Sequence, residues 1–268
     1  MLLKDMKELT RRMDRATLEK ALAECYKCVP KAKKEELDET LKRFSVGLTE
    51  PVKRPKQEEQ PDMAQLTGQV EQFVEYARMD YYFMPNRVVS KSERGKWRFA
   101  VMRWVKALTA VREDSPDYDE ANRLLIILYK ILSYACHYQT FSTDDPFNSI
   151  GQPQYSYFDM LAKRVFVRPV SEEKLREMLS LAMDEDTDPH TLYTERYRSL
   201  CSAAQCQGQL NRLMELGMER FKQPAKKGQS TVQHRIAKQE AALFVLIAQL
   251  TDGQTDCRWY LEHVPQDP

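Results

Sequence analysis

The chain has 268 residues, with 41 lysines and arginines against 40 aspartates and glutamates, six cysteines and eight glycines. A chain of this length can bury a sizeable core in one or two domains, and its near-zero net charge argues against general adhesion to nucleic acid or to an anionic membrane. The cysteines are too sparse for a secreted disulfide framework, and the charged N-terminus lacks the apolar stretch of a signal peptide. We therefore expect a cytoplasmic protein with no membrane partner.

The first 45 residues show the periodicity of a small helical hairpin. Asp14 can cap a helix whose apolar face has steps of four, three and four residues, at Leu18, Leu22, Cys25 and Val29. Pro30 ends this helix and can begin the next. Residues 46–62 then hold three prolines among charged and polar residues, which is typical of a linker. Residues 1–45 are therefore predicted to be a separable lobe, and residues 63–268 the main helical domain.

Two helices with clear apolar faces begin the main domain. The first has its face at Val70, Phe73, Val74, Ala77 and Tyr81. The second has its face at Trp97, Val101, Trp104, Leu108 and Val111. Pro85 stops the first helix, and Ser92 can cap the second.

The segment from residue 87 to residue 106 is strongly basic and contains interleaved aromatic residues. Its cations are Arg87, Lys91, Arg94, Lys96, Arg98, Arg103 and Lys106, against one acid, Glu93. Cations bind phosphates and aromatic rings stack on bases, so nucleic-acid binding is one interpretation. At about 100° per residue, however, both tryptophans fall on the core face and Phe99 points nearly opposite. Phe99 is then either an exposed anchor for an acidic protein partner or part of an ordinary polar face and covered by another element.

The helix at residues 115–138 is predicted to be the buried centre of the main domain. Ser115 and Pro116 suit a helix start, and the following run is apolar almost all round. Its apolar run is shorter than the roughly 20 residues that a membrane span needs. About eight helices are expected around this one, with no strand ladder, as an all-α body that is either repeat-like or an orthogonal bundle.

One narrow line of the central helix is polar. Arg123, Lys130 and His137 recur every seven residues, and Tyr134 lies beside them. Together they could bind an anion in a groove between helices. The alternative is a solvated edge of the helix.

Residues 139–157 form a long connection rich in Asp, Asn, Ser, Pro and Tyr. Such a loop is either functional or an irregular packed segment. An enzyme would need its pocket where this loop meets the central helix, near Tyr134, His137 and Tyr155. The chain contains no glycine-rich nucleotide loop, no HExxH and no GxSxG, so the sequence predicts no catalytic residue.

Two motifs raise the question of metal binding. Cys25-Tyr26-Lys27-Cys28 is a CxxC pair, but structural zinc needs four ligands, and Cys25 continues an apolar face, which predicts a buried thiol. Carboxylates from Asp184 to Asp188, with Glu195, resemble an EF-hand calcium loop, but Pro189 occupies the position where glycine makes the sharp turn. Asp188 is then expected to cap a helix that begins at Pro189. We expect no metal and no cofactor.

These patterns favour a non-enzymatic helical module that binds another macromolecule, most simply a protein, through the basic segment. A nucleic-acid-binding protein that uses residues 87–106 is one alternative. An enzyme with a pocket at residues 139–157 is another.

Overall fold

The computed structural model describes residues 3–45, 62–183 and 186–253, together with residues 260 and 262. These residues contain thirteen α-helices and no strand, which confirms the predicted all-α class. The chain divides into two units, residues 1–58 and 59–268. The predicted linker, residues 46–62, lies outside the described residues except for Asp62.

The described part of the first unit consists of three helices, α1 (Leu3–Arg11), α2 (Arg15–Cys28) and α3 (Lys31–Ser45). Asp14 caps α2 as predicted, because its carboxylate accepts a hydrogen bond from the Thr17 amide at 2.9 Å. The Tyr26 hydroxyl donates to Asp38 at 2.8 Å and joins α2 to α3. The prediction that Cys25 is buried is wrong, since α2 has no buried residue and Cys25 is exposed. Three short helices cannot cover every apolar face, so periodicity alone overestimates burial here.

The second unit contains ten helices between Met63 and Thr251. They are α4 (Met63–Arg78), α5 (Lys91–Arg94), α6 (Trp97–Thr109), α7 (Tyr118–Tyr134), α8 (Pro146–Ser149), α9 (Gln154–Phe166), α10 (Glu172–Met183), α11 (Tyr193–Ala203), α12 (Gln207–Lys222) and α13 (Thr231–Thr251). Helix α7 contacts α4, α6, α8 and α9, and eleven of its seventeen residues are buried. It is therefore a centre of packing in this unit.

Helix α7 is shorter than the predicted span of residues 115–138. Ser115 does not cap it, because the Ser115 hydroxyl accepts from the Asp117 amide and the Ser115 carbonyl accepts from the Tyr118 amide. These bonds form a turn that precedes the helix. At the other end, the last helical residue is Tyr134, and the chain turns before Thr140.

The long connection after α7 is packed against the core. Phe141, Phe147 and Ile150 are buried, and short helix α8 is capped by Asp145, whose carboxylate accepts from the Asn148 amide at 2.9 Å. The Phe147 ring lies 5.6 Å from the Tyr129 ring of α7. The structure therefore favours the irregular packed segment over an open loop at these positions.

Helices α12 and α13 approach each other closely at Gly217. A Cβ atom added at Gly217 would lie 2.8 Å from the Phe244 ring and 3.0 Å from Val245 Cγ2. A side chain at this position would overpack the contact. This glycine allows the two helices to bury Phe244 completely.

Ion pairs on the surface connect α10 to α12. Glu172, in the first turn of α10, accepts hydrogen bonds from Arg212 of α12 and from Arg176. Arg212 also pairs with Glu215 and Glu219. The hydrogen bonds from Arg212, followed by those from Arg176, lower the pKa of Glu172 to about 2.

This depressed pKa predicts a pH-dependent contribution of Glu172 to stability. Because the folded pKa lies below the ordinary value of 4.5, the contribution is present above that pH and is lost as the pH falls towards 2. Glu172→Gln is therefore expected to melt at a lower temperature than the wild type at pH 7. The difference in melting temperature should shrink as the pH falls from 4.5 and disappear near pH 2. Melting curves of both proteins across the window test this. Glu113→Gln, an exposed acid with no ion pair to another described residue, should show no such difference, and a constant difference for Glu172→Gln would contradict the assignment.

Candidate functional site

The turn between α4 and α5 is held by one asparagine and one arginine. The Asn86 side-chain amide donates to the Tyr81 and Met84 carbonyls at 2.7 and 2.8 Å, and its oxygen accepts from the amides of the two residues after Arg87, at 2.9 and 2.7 Å. Arg94 donates to the carbonyls of Val89 and Asn86 at 3.1 and 3.2 Å. Six side chain–backbone bonds therefore fix this turn without any regular element. The helix does not begin at Ser92 as predicted, because the short α5 intervenes and its N-cap is Ser90.

Helix α6 presents its tryptophans to the core and Phe99 to solvent, as the periodicity predicts. Trp97 is 6% exposed, and its ring stacks on that of Phe141 at 4.1 Å. The Trp104 Nε1 atom donates to Gln69 of α4 at 3.0 Å. Phe99 is 52% exposed. The tryptophan faces are therefore used in packing, whereas the Phe99 ring is available to a partner.

A groove lies between the end of α4, the turn after it and α6. We call it the basic groove; its volume is about 630 Å³. Its lining consists of Tyr76, Tyr82, Val88, Val89, Ser90, Glu93, Lys96, Trp97, Phe99, Ala100 and Arg103. Burial, with a smaller effect from Tyr76, raises the pKa of Tyr82 to about 12, so its hydroxyl is neutral at physiological pH. Val88 is 51% exposed, so the groove offers an apolar residue from the turn opposite Phe99 on α6.

Large apolar side chains are also exposed in the stretch of chain that supplies most of the groove lining. Between residues 79 and 102 the exposed large apolar side chains are Met79, Phe83, Met84, Val88, Phe99 and Met102. Scattered single apolar residues on a surface are ordinary, whereas Val88 and Phe99 share the lining of one groove, which is typical of an interaction surface. The sequence patterns do not predict Tyr76 and Tyr82 as part of the site, because their proximity to α6 depends on how the helices pack. The signal in the sequence was Pro85-Asn86, a pair that predicts a turn after α4.

The predicted basic residues differ in whether their charge is already matched. Arg94 is used to hold the turn, and Lys96 pairs with Glu93 at 2.7 Å. The remaining five are exposed and form no ion pair with another described residue: Arg87, Lys91, Arg98, Arg103 and Lys106. The Arg98 guanidinium lies 4.9 Å from the centre of the Phe99 ring, a cation–π contact at the surface. Exposed residues Lys96, Phe99, Arg103 and Lys106 follow one another along one stripe of α6.

The second predicted site, along α7, has its cations opposite carboxylates. Arg123 hydrogen-bonds Glu120 at 2.7 Å and Glu71 at 2.8 Å, and Lys130 pairs with Glu177 of α10 at 3.2 Å. The pKa of Arg123 is raised by these hydrogen bonds, first of all that to Glu120. His137 continues the line, and its Nε2 atom lies 3.9 Å from an Asp186 carboxylate oxygen. Because carboxylates already surround these cations, the line is a poor receptor for a further anion.

The residues near the predicted enzyme pocket lie open to solvent. Tyr134 stacks on Tyr138 with ring centres 4.2 Å apart, and Tyr134, His137 and Tyr155 are all exposed. Cys136 is next to them, but burial, followed by the nearby carboxylates, raises the pKa of its thiol to about 12. Burial likewise raises the pKa of Cys201 to about 12. Neither thiol is poised as a nucleophile at neutral pH.

The calcium-loop carboxylates have structural roles where they are described. Asp188 is 4% exposed, and its oxygens accept from the amides of Gln154, His190 and Thr191 at 3.1, 2.9 and 2.6 Å. Glu195 accepts from the Leu192 amide at 2.9 Å. Asp188 does not cap a helix as predicted, since α11 begins at Tyr193; it closes a turn instead. Asp184 and Glu185 lie outside the described residues, and no cluster of three or more potential metal ligands occurs in the part of the chain that the structure describes.

Comparison with known proteins adds no relative. No protein family model matches this sequence, and neither does any curated protein or any solved structure. Within the described ranges, no helix has the length and hydropathy needed to span a bilayer.

Proposed function

We propose that this protein is a binding module that holds an acidic, amphipathic segment of another protein in the basic groove. The observation that carries the proposal is the half-exposed Phe99 ring, which lines the groove within a stripe of cations on α6. An apolar anchor of the partner would contact Phe99 and Val88, and its carboxylates would meet Arg98, Arg103 and Lys106. Aromatic and arginine side chains are the residues that most often carry binding energy at protein interfaces.

Charge complementarity supports an acidic partner. Five exposed cations at residues 87–106 form no ion pair with another described residue, and the one acid of this segment, Glu93, is paired with Lys96. A basic partner would face uncompensated repulsion, whereas an acidic one would be steered towards the groove.

Nucleic acid is the less favoured occupant. Binding to a single strand relies on successive exposed aromatic rings on which bases can stack. Trp97 and Trp104 are engaged in packing, so Phe99 is the exposed aromatic ring of α6. A duplex would be held by its phosphates alone, with an affinity that falls steeply with salt.

Peptide selection tests the proposal without assuming the partner's identity. A displayed library of random helical peptides, about four turns long, is selected on the wild-type chain and, separately, on Phe99→Ser. We expect enriched peptides with Asp or Glu flanking Leu, Phe or Trp at helical spacing, and loss of this class on the variant. Enrichment of basic peptides, or equal enrichment on both proteins, would reject the proposed groove.

Affinity measurements then test how much each side chain of the groove contributes to binding. For a labelled selected peptide, Phe99→Ser is expected to weaken binding by about tenfold or more, because the central apolar anchor is lost. Arg103→Glu with Lys106→Glu should also weaken it and reduce its salt dependence. Val232→Ser, an equally exposed apolar residue on α13, is the matched control and should bind normally. Labelled oligothymidine that binds more tightly than the peptide would transfer the assignment to nucleic acid.

A further inference from the structure

The last turn of α2 carries two exposed thiols. Cys25 and Cys28 are both free and exposed, and they lie three positions apart in the sequence. On a helix this spacing places the side chains about one turn apart, with roughly 5–6 Å between the Cβ atoms. Exposure of Cys25 contradicts the predicted burial of its thiol. It leaves an accessible dithiol.

The position of this dithiol makes thiolate formation depend on a bound cation. The thiols lie at the C-terminal end of α2, where the negative end of the helix dipole disfavours a free thiolate and favours a cation. Lys27, which lies between them in sequence, is paired with Glu24 at 2.7 Å. Tyr26 donates its hydroxyl to Asp38, so the two intervening side chains already have partners. The charge of Lys27 is therefore balanced by Glu24, which reduces its repulsion of a metal ion bound by the thiolates.

One chain supplies half of a tetrahedral zinc site. Structural zinc is bound by four ligands, and four cysteine thiolates make a closed site of this kind. Among residues 3–45, 62–183 and 186–253, no group of three or more metal-ligating side chains occurs, so Cys25 and Cys28 have no further ligand nearby in the described chain. A second copy of the chain would bring an identical pair.

The same helix presents an apolar face that is exposed in the described part of the first unit. Leu18 and Leu22 are exposed, and no residue of α2 is buried. Leu18, Leu22 and Cys25 follow steps of four and three residues, the spacing of the seam between two paired helices. A helix that covered this seam would also lie next to the thiols.

We propose that two copies of the chain pair in parallel along this face of α2 and that Cys25 and Cys28 of both copies hold one Zn²⁺ ion. Each thiol loses its proton when it binds, so formation of the site releases four protons to solvent and involves no change in oxidation state. The metal supplies binding energy that two short apolar seams would lack alone. Zinc would therefore control whether the chain is a monomer or a dimer.

Metal content and mass of the full chain test the proposal. The protein is kept reduced with a phosphine, stripped with EDTA, and then given ZnCl₂ before metal analysis and light scattering. We expect a monomer without metal, and a dimer with one zinc ion per two chains after addition. Co²⁺ in place of zinc should give the thiolate charge-transfer and visible bands of a tetrahedral four-sulfur site. One zinc ion bound per monomer, no bound zinc, or a dimer that is indifferent to EDTA would each overturn it.

Four variants separate metal binding from folding. Cys25→Ser and Cys28→Ser are each expected to abolish zinc-dependent dimerisation while the circular dichroism spectrum stays helical. Cys28→His replaces one ligand by another and should restore zinc binding, which a merely structural cysteine would not allow. Cys206→Ser removes another exposed thiol and should change nothing. Retention of zinc by Cys25→Ser, or its loss from Cys206→Ser, would contradict the assigned ligands.

Discussion

Phe147→Ala is expected to lower the free energy of unfolding by about 3–5 kcal/mol, the usual cost of removing a buried phenylalanine. The Phe147 side chain is fully buried, and its ring lies 5.6 Å from that of Tyr129 and 6.1 Å from that of Tyr157. Truncation would leave a cavity between α7, α8 and α9, which the packed helices cannot close completely. Urea unfolding followed by circular dichroism gives the difference in free energy.

An exposed aromatic residue near the same connection provides the control. Tyr155 is exposed near the start of α9, so Tyr155→Ala should change stability by no more than about 0.5 kcal/mol. Equal losses for the two variants would mean that residues 139–157 are not anchored by Phe147. The comparison also bears on the enzyme hypothesis, because a firmly anchored segment is a poor candidate for an active-site lid.

Asp188→Ala should destabilise the second unit by about 2–4 kcal/mol. The carboxylate of Asp188 accepts from the backbone amides of Gln154, His190 and Thr191. The Gln154 side chain in turn accepts from the Asp188 amide at 2.7 Å and donates to Ser133 of α7 at 2.9 Å. Without the carboxylate, three backbone donors in a buried turn lose their acceptor, and each buried unsatisfied group costs about 1–3 kcal/mol before relaxation.

The conservative variant distinguishes hydrogen bonding from packing. Asp188→Asn keeps one acceptor oxygen and the side-chain shape, so its loss of stability should be smaller than that of Asp188→Ala. Asp114→Ala, an exposed acid with a surface ion pair to Arg112, should remain within about 0.5 kcal/mol of wild type. If calcium raised the melting temperature of the wild type, Asp188 would be a calcium ligand and the structural interpretation would be wrong.

Local sequence patterns predict the helices that are covered on most sides by other helices. The all-α class follows from helical periodicity along the chain, and the same periodicity places Trp97 in the core and Phe99 in solvent. A helix that is apolar almost all round, such as α7, must be covered on most sides wherever its neighbours come from. In these cases the residue types and their spacing carry the information, because any correct packing must satisfy them.

Burial on a one-sided helix and the composition of a site depend on which residues lie opposite, and those residues come from distant parts of the chain. Cys25 continues an apolar face, yet its side chain is exposed in the described part of the first unit. The basic groove joins Tyr76 of α4, Val88 of the following turn and Phe99 of α6, which are brought together by the bonds of Asn86 and Arg94. Likewise, Asp188 looks like a metal ligand in sequence, but its lone pairs are taken by three amides. The physical reason is the same in each case: a side chain's chemistry is local, whereas its accessibility and its partners are set by segments far away in the chain.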